Sequence, residues 1–265
     1  MGTAIVTGAS SGIGRSLARR LAARGDAVAL LARRQELLES LAKEIEESGG
    51  RALAIACDVT DRDAVREAVE RAERELGPTT LLVANAGGGN PTDAAQFDSE
   101  HFAFMFDLNL MSAVHCIEAV LPGMLERGSG HLVAMSSLAG YRGLPGAAAY
   151  SSSKAALTAM LESLRVDLRG RGIDVTVLAP GFVRTKPKKK KRRKPFQLEL
   201  EDATARMARA IEQRKRYYAF PKSLLALIWL AWILPPSIYD RLMSRVAGKV
   251  PRMGAPGPRS PRDGT

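Results

Sequence analysis

TGASSGIG, residues 7–14, follows the apolar run AIVT and leads into RSLARRLAARG. The first segment reads as a buried strand and the last as a helix, so the glycines fall on a strand-to-helix turn. Gly8, Gly12 and Gly14 allow a tight turn and close approach of the backbone to a ligand. A helix beginning near Gly12 adds unpaired amide donors and the positive end of its dipole, which suits an anionic group such as a pyrophosphate. Spaced glycines alone also fit a plain turn. The strand before them and the helix after them favour dinucleotide binding.

The same alternation continues outward. VALLA, ALAIA, LLVAN, HLVAM and DVTVLAP are short apolar runs separated by helical-period stretches such as AVREAVERAEREL. Strands with so little polar interruption are buried on both faces, as in a parallel sheet between helix layers. The expected fold is therefore α/β, a doubly wound, Rossmann-type parallel sheet of about seven strands with a C-terminal hydrophobic helical extension. The regular pattern runs to about residue 180, then come a basic run, a helical segment near 198–215 and a last strand, YYAF. The expected divisions are a catalytic domain over 1–221, a hydrophobic extension over 222–248 and a disordered tail over 249–265.

The chain has 265 residues and a net charge of +11. Eight Lys and Arg stand between Lys186 and Lys194; taking them from the 39 basic residues leaves 31 against 28 acidic ones, so the basicity is local. Two cysteines, Cys57 and Cys116, make no disulfide framework, and three scattered histidines lack metal-ligand spacing. The N-terminus, MGTAIVTG, enters a strand without a signal-like segment, and a cytoplasmic protein is expected.

The second strand ends in Ala32, Arg33 and Arg34, where a fold that prefers NAD carries an acidic residue for the adenosine ribose. Guanidinium groups match a 2′-phosphate in forked geometry, which points to NADP(H); two solvated charges at a helix start are the alternative. Asp58 is placed either to bond the adenine or to form a turn, and Asn85 to contact the cofactor, to brace adjacent strands or to form a turn. In YSSSK, residues 150–154, four-residue spacing sets Tyr150 and Lys154 on one helix face. A phenol ionises near pH 10 and a neighbouring ammonium favours the phenolate, so the pair makes a proton exchanger. Tyr218 and Lys222 repeat the spacing, but Pro221 and a preceding strand deny them a continuous helix. Ser137 lies thirteen residues before Tyr150 and ends the strand in HLVAMSS.

TGASSGIG, NAG at 85–87, Ser137, YSSSK and PG at 180–181 stand in the order and at the separations of the short-chain dehydrogenase/reductase (SDR) family, which residues 1–185 resemble. The resemblance implies a seven-stranded parallel sheet, a homodimer or homotetramer, and a catalytic tetrad of Asn109, Ser137, Tyr150 and Lys154. It implies a cofactor site taking in Gly8, Ser10, Ser11, Gly12, Ile13 and Gly14, then Arg33, Arg34, Asp58, Val59, Asn85, Ala86 and Gly87. Tyr150 and Lys154 belong to that site too, as do Pro180, Gly181, Val183 and Thr185, the last at the nicotinamide carboxamide. In such enzymes the segment after PG forms a lid over the substrate; here it is the polybasic run, 186–194.

The expected reaction is hydride transfer between a nicotinamide and a ketone or secondary alcohol. SLLALIWLAWIL contains an eleven-residue apolar core, Leu224 to Leu234. As a helix it spans about 16 Å, against a hydrocarbon thickness of about 30 Å, so it does not cross a bilayer alone. The extension is similar to those of family members acting on lipids, such as 3-ketosphinganine-type reductases, and a lipophilic substrate, a long-chain ketolipid or a steroid-like compound, is the first expectation. Peripheral contact with an anionic membrane through the basic run and the apolar helix stands beside a solvated loop with a dimer helix, and beside a core helix. A 3-oxoacyl-carrier-protein reductase is the same-class alternative, and a non-catalytic cofactor-binding regulatory protein the alternative of a different class. Nucleic acid is not an expected partner, since the run lacks interleaved aromatics and a recognition fold.

Overall fold

The computed structural model describes residues 2–185 and 195–247. The polybasic run and the tail from residue 249 lie outside the described residues. In chain order the elements are β1 (Thr3–Thr7), α1 (Gly12–Ala23), β2 (Ala27–Ala32), α2 (Gln35–Glu47), β3 (Arg51–Ala56), α3 (Arg62–Leu76) and β4 (Thr79–Ala84). Then follow α4 (Ser99–Phe106), α5 (Ser112–Arg127), β5 (Gly130–Met135), α6 (Ala148–Asp167), β6 (Ile173–Pro180) and β7 (Val183–Arg184). The last are β8 (Leu198–Glu199), α7 (Leu200–Glu212), β9 (Tyr217–Phe220), α8 (Lys222–Ile233) and α9 (Pro236–Ala247).

The main sheet has seven parallel strands in the order β3-β2-β1-β4-β5-β6-β9, as expected. Alternate strand residues divide the core into two. Ile5, Leu31 and Leu82 face Val65 of α3, Ile117 of α5 and Leu157 of α6. Ala4, Val6 and Leu30 face Leu17 of α1, Leu38 of α2 and Met207 of α7. Both sheet faces are thus covered, which is why the strands read as unbroken apolar runs.

By length and composition, the helical run Ser99–Arg127 is long enough to cross a membrane. Its Ala113, Cys116, Ile117, Val120 and Met124 nevertheless belong to the core on the sheet. Between α4 and α5 that run passes through a π turn, Asp107–Met111. Strand order reverses between β1 and β4, and the crevice at their carboxyl ends is where this fold receives ligands.

Candidate active site

The crevice is assembled from strand ends. Thr7 closes β1 fully buried, and its hydroxyl accepts from the amides of Asn85 (3.0 Å) and Ala86 (2.9 Å). The Asn85 side chain donates back to the Thr7 carbonyl at 2.9 Å. Asn85 therefore braces β1 against β4, with Thr7 as a partner not singled out in the sequence. The glycine turn packs on this brace. A Cβ on Gly14 would lie 2.4 Å from the Gly8 carbonyl oxygen and 2.6 Å from Asn85 Nδ2, so only glycine lets α1 start this close to the strands. Ser11 precedes α1 without a side-chain hydrogen bond to it, so no side chain of the N-cap takes the first amides of the helix.

Arg34 reaches back to this turn, donating to Ser10 Oγ at 2.9 Å and Ser11 Oγ at 3.5 Å. Arg33 is largely exposed, 4.0 Å from Asp58. Asp58 Oδ1 accepts from the Thr60 amide at 3.0 Å and its hydroxyl at 2.8 Å, which makes Asp58 a turn residue in this structure. Val59 is buried beside it. Across the crevice Thr185 lies against Gly12, where a Cβ would meet its side chain at 3.4 Å. A helix start whose N-cap Ser11 is exposed, a glycine cradle and the Arg34 guanidinium beside it fit a phosphorylated dinucleotide. At the far wall Pro180 ends β6 and the Gly181 amide donates to the Phe220 carbonyl at 2.8 Å; Val183 lies in the short strand beyond.

Tyr150 and Lys154 sit on α6, one turn apart, as the spacing predicts. Lys154 is 3% exposed, and Nζ donates to the Met135 carbonyl at 2.7 Å. Burial lowers its pKa from 10.5 to about 8. Burial pushes the Tyr150 phenol up, while a hydrogen bond with Ser137 draws it the other way. The net direction is upward, against the lowering expected from Lys154. Ser137 Oγ accepts from the Ala139 amide at 3.1 Å, which leaves its own proton to donate.

Asn109 sits in the π turn, 1% exposed. Its oxygen accepts from the Gly88 amide at 3.0 Å, and its nitrogen donates to the Gly88 carbonyl at 3.0 Å and to Ser153 Oγ at 3.1 Å. The side chain thereby ties the Asn85–Gly88 segment to α6. A Cβ on Gly87 would lie 2.8 Å from Asn109 Oδ1 and 3.1 Å from Lys154 Nζ, so Gly87 passes directly over both. Ser153, inside YSSSK, went unremarked in the sequence. Tyr218, of the decoy pair, is on β9 and Lys222 opens α8, so they share no helix. A cavity of about 690 Å³ lined by Gly2, Thr3, Asp26, Gly50 and Gly77 lies elsewhere, at the amino ends of the strands.

Arg142, between Ser137 and Tyr150, carries an unanticipated set of contacts. It donates to the Ala231 carbonyl, to that of Trp232 at 2.9 Å and to that of Leu234 at 3.4 Å. Its guanidinium stacks 3.8 Å from the Tyr239 ring centroid, and the Tyr239 hydroxyl donates to the Gly143 carbonyl at 2.6 Å. These carbonyls at the end of α8 have no later turn to serve, so a cation is well suited to them. The segment bearing Ser137 and Tyr150 is in this way fastened to the α8–α9 hairpin.

Residues 2–195 match the family model described as short chain dehydrogenase. An uncharacterized oxidoreductase of Myxococcus xanthus (strain DK1622) is 42% identical over 245 residues, covering 92% of this chain and 97% of that one. Ketoacyl reductase HetN of Nostoc sp. (strain PCC 7120) is 35% identical over 181 residues, covering 68% of this chain and 63% of that one. Among solved structures, an alcohol dehydrogenase from the archaeon Thermococcus sibiricus, complexed with 5-hydroxy-NADP, aligns with a TM-score of 0.74 at 27% identity, over 83% of this chain and 96% of that one.

Proposed function

The chain belongs to the short-chain dehydrogenase/reductase family of oxidoreductases, and from that premise we propose that it interconverts a ketone and a secondary alcohol of a lipophilic compound with NADP(H). The observation that carries the reading is the convergence of Ser137, Tyr150 and Lys154 on one crevice beside the glycine turn and Arg34. The nicotinamide supplies or accepts the hydride when bound. Ser137 donates a hydrogen bond to the substrate oxygen. Tyr150 gives that oxygen a proton in reduction and removes it in oxidation. Lys154 holds a positive charge at the floor of the crevice, where the phenolate forms after transfer. Asn109 keeps the segment over Lys154 in place.

NADP preference rests on Arg34, and to a lesser degree on the more exposed Arg33. Dissociation constants for NADPH and NADH at one salt concentration test it: NADPH is expected to bind at least tenfold more tightly, and Arg34→Ala to remove most of the difference. Equal binding of the two by the native chain would sink the preference. The HetN relative supports a second reading, a 3-oxoacyl thioester as substrate. NADPH oxidation measured against long-chain ketolipids, steroids and acyl thioesters separates the two, and absence of turnover with all three classes would favour the regulatory alternative. A lipophilic substrate is supported by the exposed apolar hairpin fastened beside the crevice. Peripheral membrane contact is part of the same reading.

A further inference from the structure

We propose that the outward face of the α8–α9 hairpin docks on an anionic phospholipid surface, an inference that rests on the lipophilic-substrate reading and gives it a place. At 100° per residue, Leu224, Ile228 and Ala231 share the face of α8 turned to the body of the protein. Leu224 packs at Gly181, where a Cβ would lie 2.7 Å from its Cδ2. The rest of the helix surface carries Leu227, Trp229, Leu230, Trp232 and Ile233, each between 52% and 68% exposed, where a surface helix ordinarily carries charge. Ile238 and Leu242 continue the apolar surface onto α9.

Lipid is selected over a second copy of the chain by charge. Residues 222–247 hold Lys222, Arg241 and Arg245 against the single acid Asp240. Those three cations are exposed and have no ion pair among the described residues. A twofold contact of hairpin on hairpin would bring like charges together, whereas an anionic headgroup layer complements them and the +11 of the whole chain. Tryptophan also favours the boundary between headgroups and acyl chains. With twelve residues, α8 is about 18 Å long, too short to span about 30 Å of hydrocarbon, and therefore lies along the interface. Arg142 and Tyr239 hold the hairpin to the loop between Ser137 and Tyr150, so docking would present the mouth of the crevice to lipid.

The two tryptophans of the chain, Trp229 and Trp232, are both on α8, so intrinsic tryptophan emission reports on the hairpin alone. The full-length protein is titrated with vesicles of phosphatidylcholine, and with vesicles of phosphatidylcholine and phosphatidylglycerol. Expected is a blue shift on the anionic vesicles that fades with salt, with vesicle affinity falling roughly fivefold in Arg241→Gln and again in Arg245→Gln. Co-sedimentation of the Trp229→Glu, Trp232→Glu double variant is expected to show it left in the supernatant with NADPH binding unchanged. An equal shift on both vesicle types, or none on either, overturns the proposal. So does a mass by light scattering that halves in the double variant without any vesicle shift in the native chain, which would assign the face to a second copy. NADPH oxidation by the native chain with long-chain ketolipids, acyl thioesters and steroids, measured without vesicles, keeps the two readings apart. Turnover of ketolipid or steroid without a vesicle shift removes the docking alone, and a vesicle shift with turnover of acyl thioesters only removes the lipophilic-substrate reading alone.

Discussion

At Lys154 the cost of burial appears in its ionisation. The folded chain releases this proton near pH 8 and the unfolded chain near 10.5. Between those values only the unfolded state holds it, so stability rises with pH across the window and the penalty is fully present below 8. Compared with Lys154→Met, the native chain should gain on the order of 2–3 kcal/mol between pH 7.5 and 10.5. Urea denaturation of both at the two pH values checks this, and a constant difference would show that the ammonium is better solvated than its surroundings imply. Tyr150→Phe removes one hydroxyl from a ring that remains packed by Gly89. Turnover at saturating substrate should fall by about 10²-fold or more, with the NADPH dissociation constant within about threefold of native. Ser137, Tyr150 and Lys154 were legible as residues because a strand end and one helical turn bring them together. The direction of the Tyr150 shift was not, since it depends on how much water the fold removes from the phenol.

The π turn between α4 and α5 belongs to the scale of elements. FDLNLM reads as ordinary helix, and nothing in its composition marks the wider turn that points Asn109 at Gly88 and Ser153. π turns concentrate at functional positions because they redirect a side chain that regular helix would place elsewhere. Asn109→Ala would leave both the amide and the carbonyl of Gly88 without this side-chain partner. It should cost roughly 1–3 kcal/mol and weaken NADPH binding, read from urea midpoints and a fluorescence titration. An unchanged midpoint would show that water substitutes for the amide. The strands, by contrast, were legible almost residue for residue, because burial on both faces leaves an apolar run with sharp ends. The Arg142 contacts were illegible for the opposite reason: its carbonyl partners lie 89 to 92 residues further along the chain.

For the molecule as a whole, the proposed division at residue 221 has a direct test. No residue of α8 is buried, so residues 222–247 contribute little to the core. A chain ending at 221 should melt within about 5 °C of the native protein and bind NADPH, while no longer sedimenting with anionic vesicles. A loss of cooperative melting would show that the hairpin is part of the catalytic domain. The sheet order has a consequence for synthesis. β9 is the last strand in the chain, and it pairs with β6 across everything between Gly181 and Arg216. While the chain is being made, β6 emerges with one side unpaired and stays an open edge until Tyr217–Phe220 follows. That edge offers Val177, Leu178 and Ala179, the kind of apolar row onto which a neighbouring nascent chain can add a strand. Slow or interrupted translation between β6 and β9 would therefore leave the nearly complete sheet open to aggregation at this one edge until its last strand arrives.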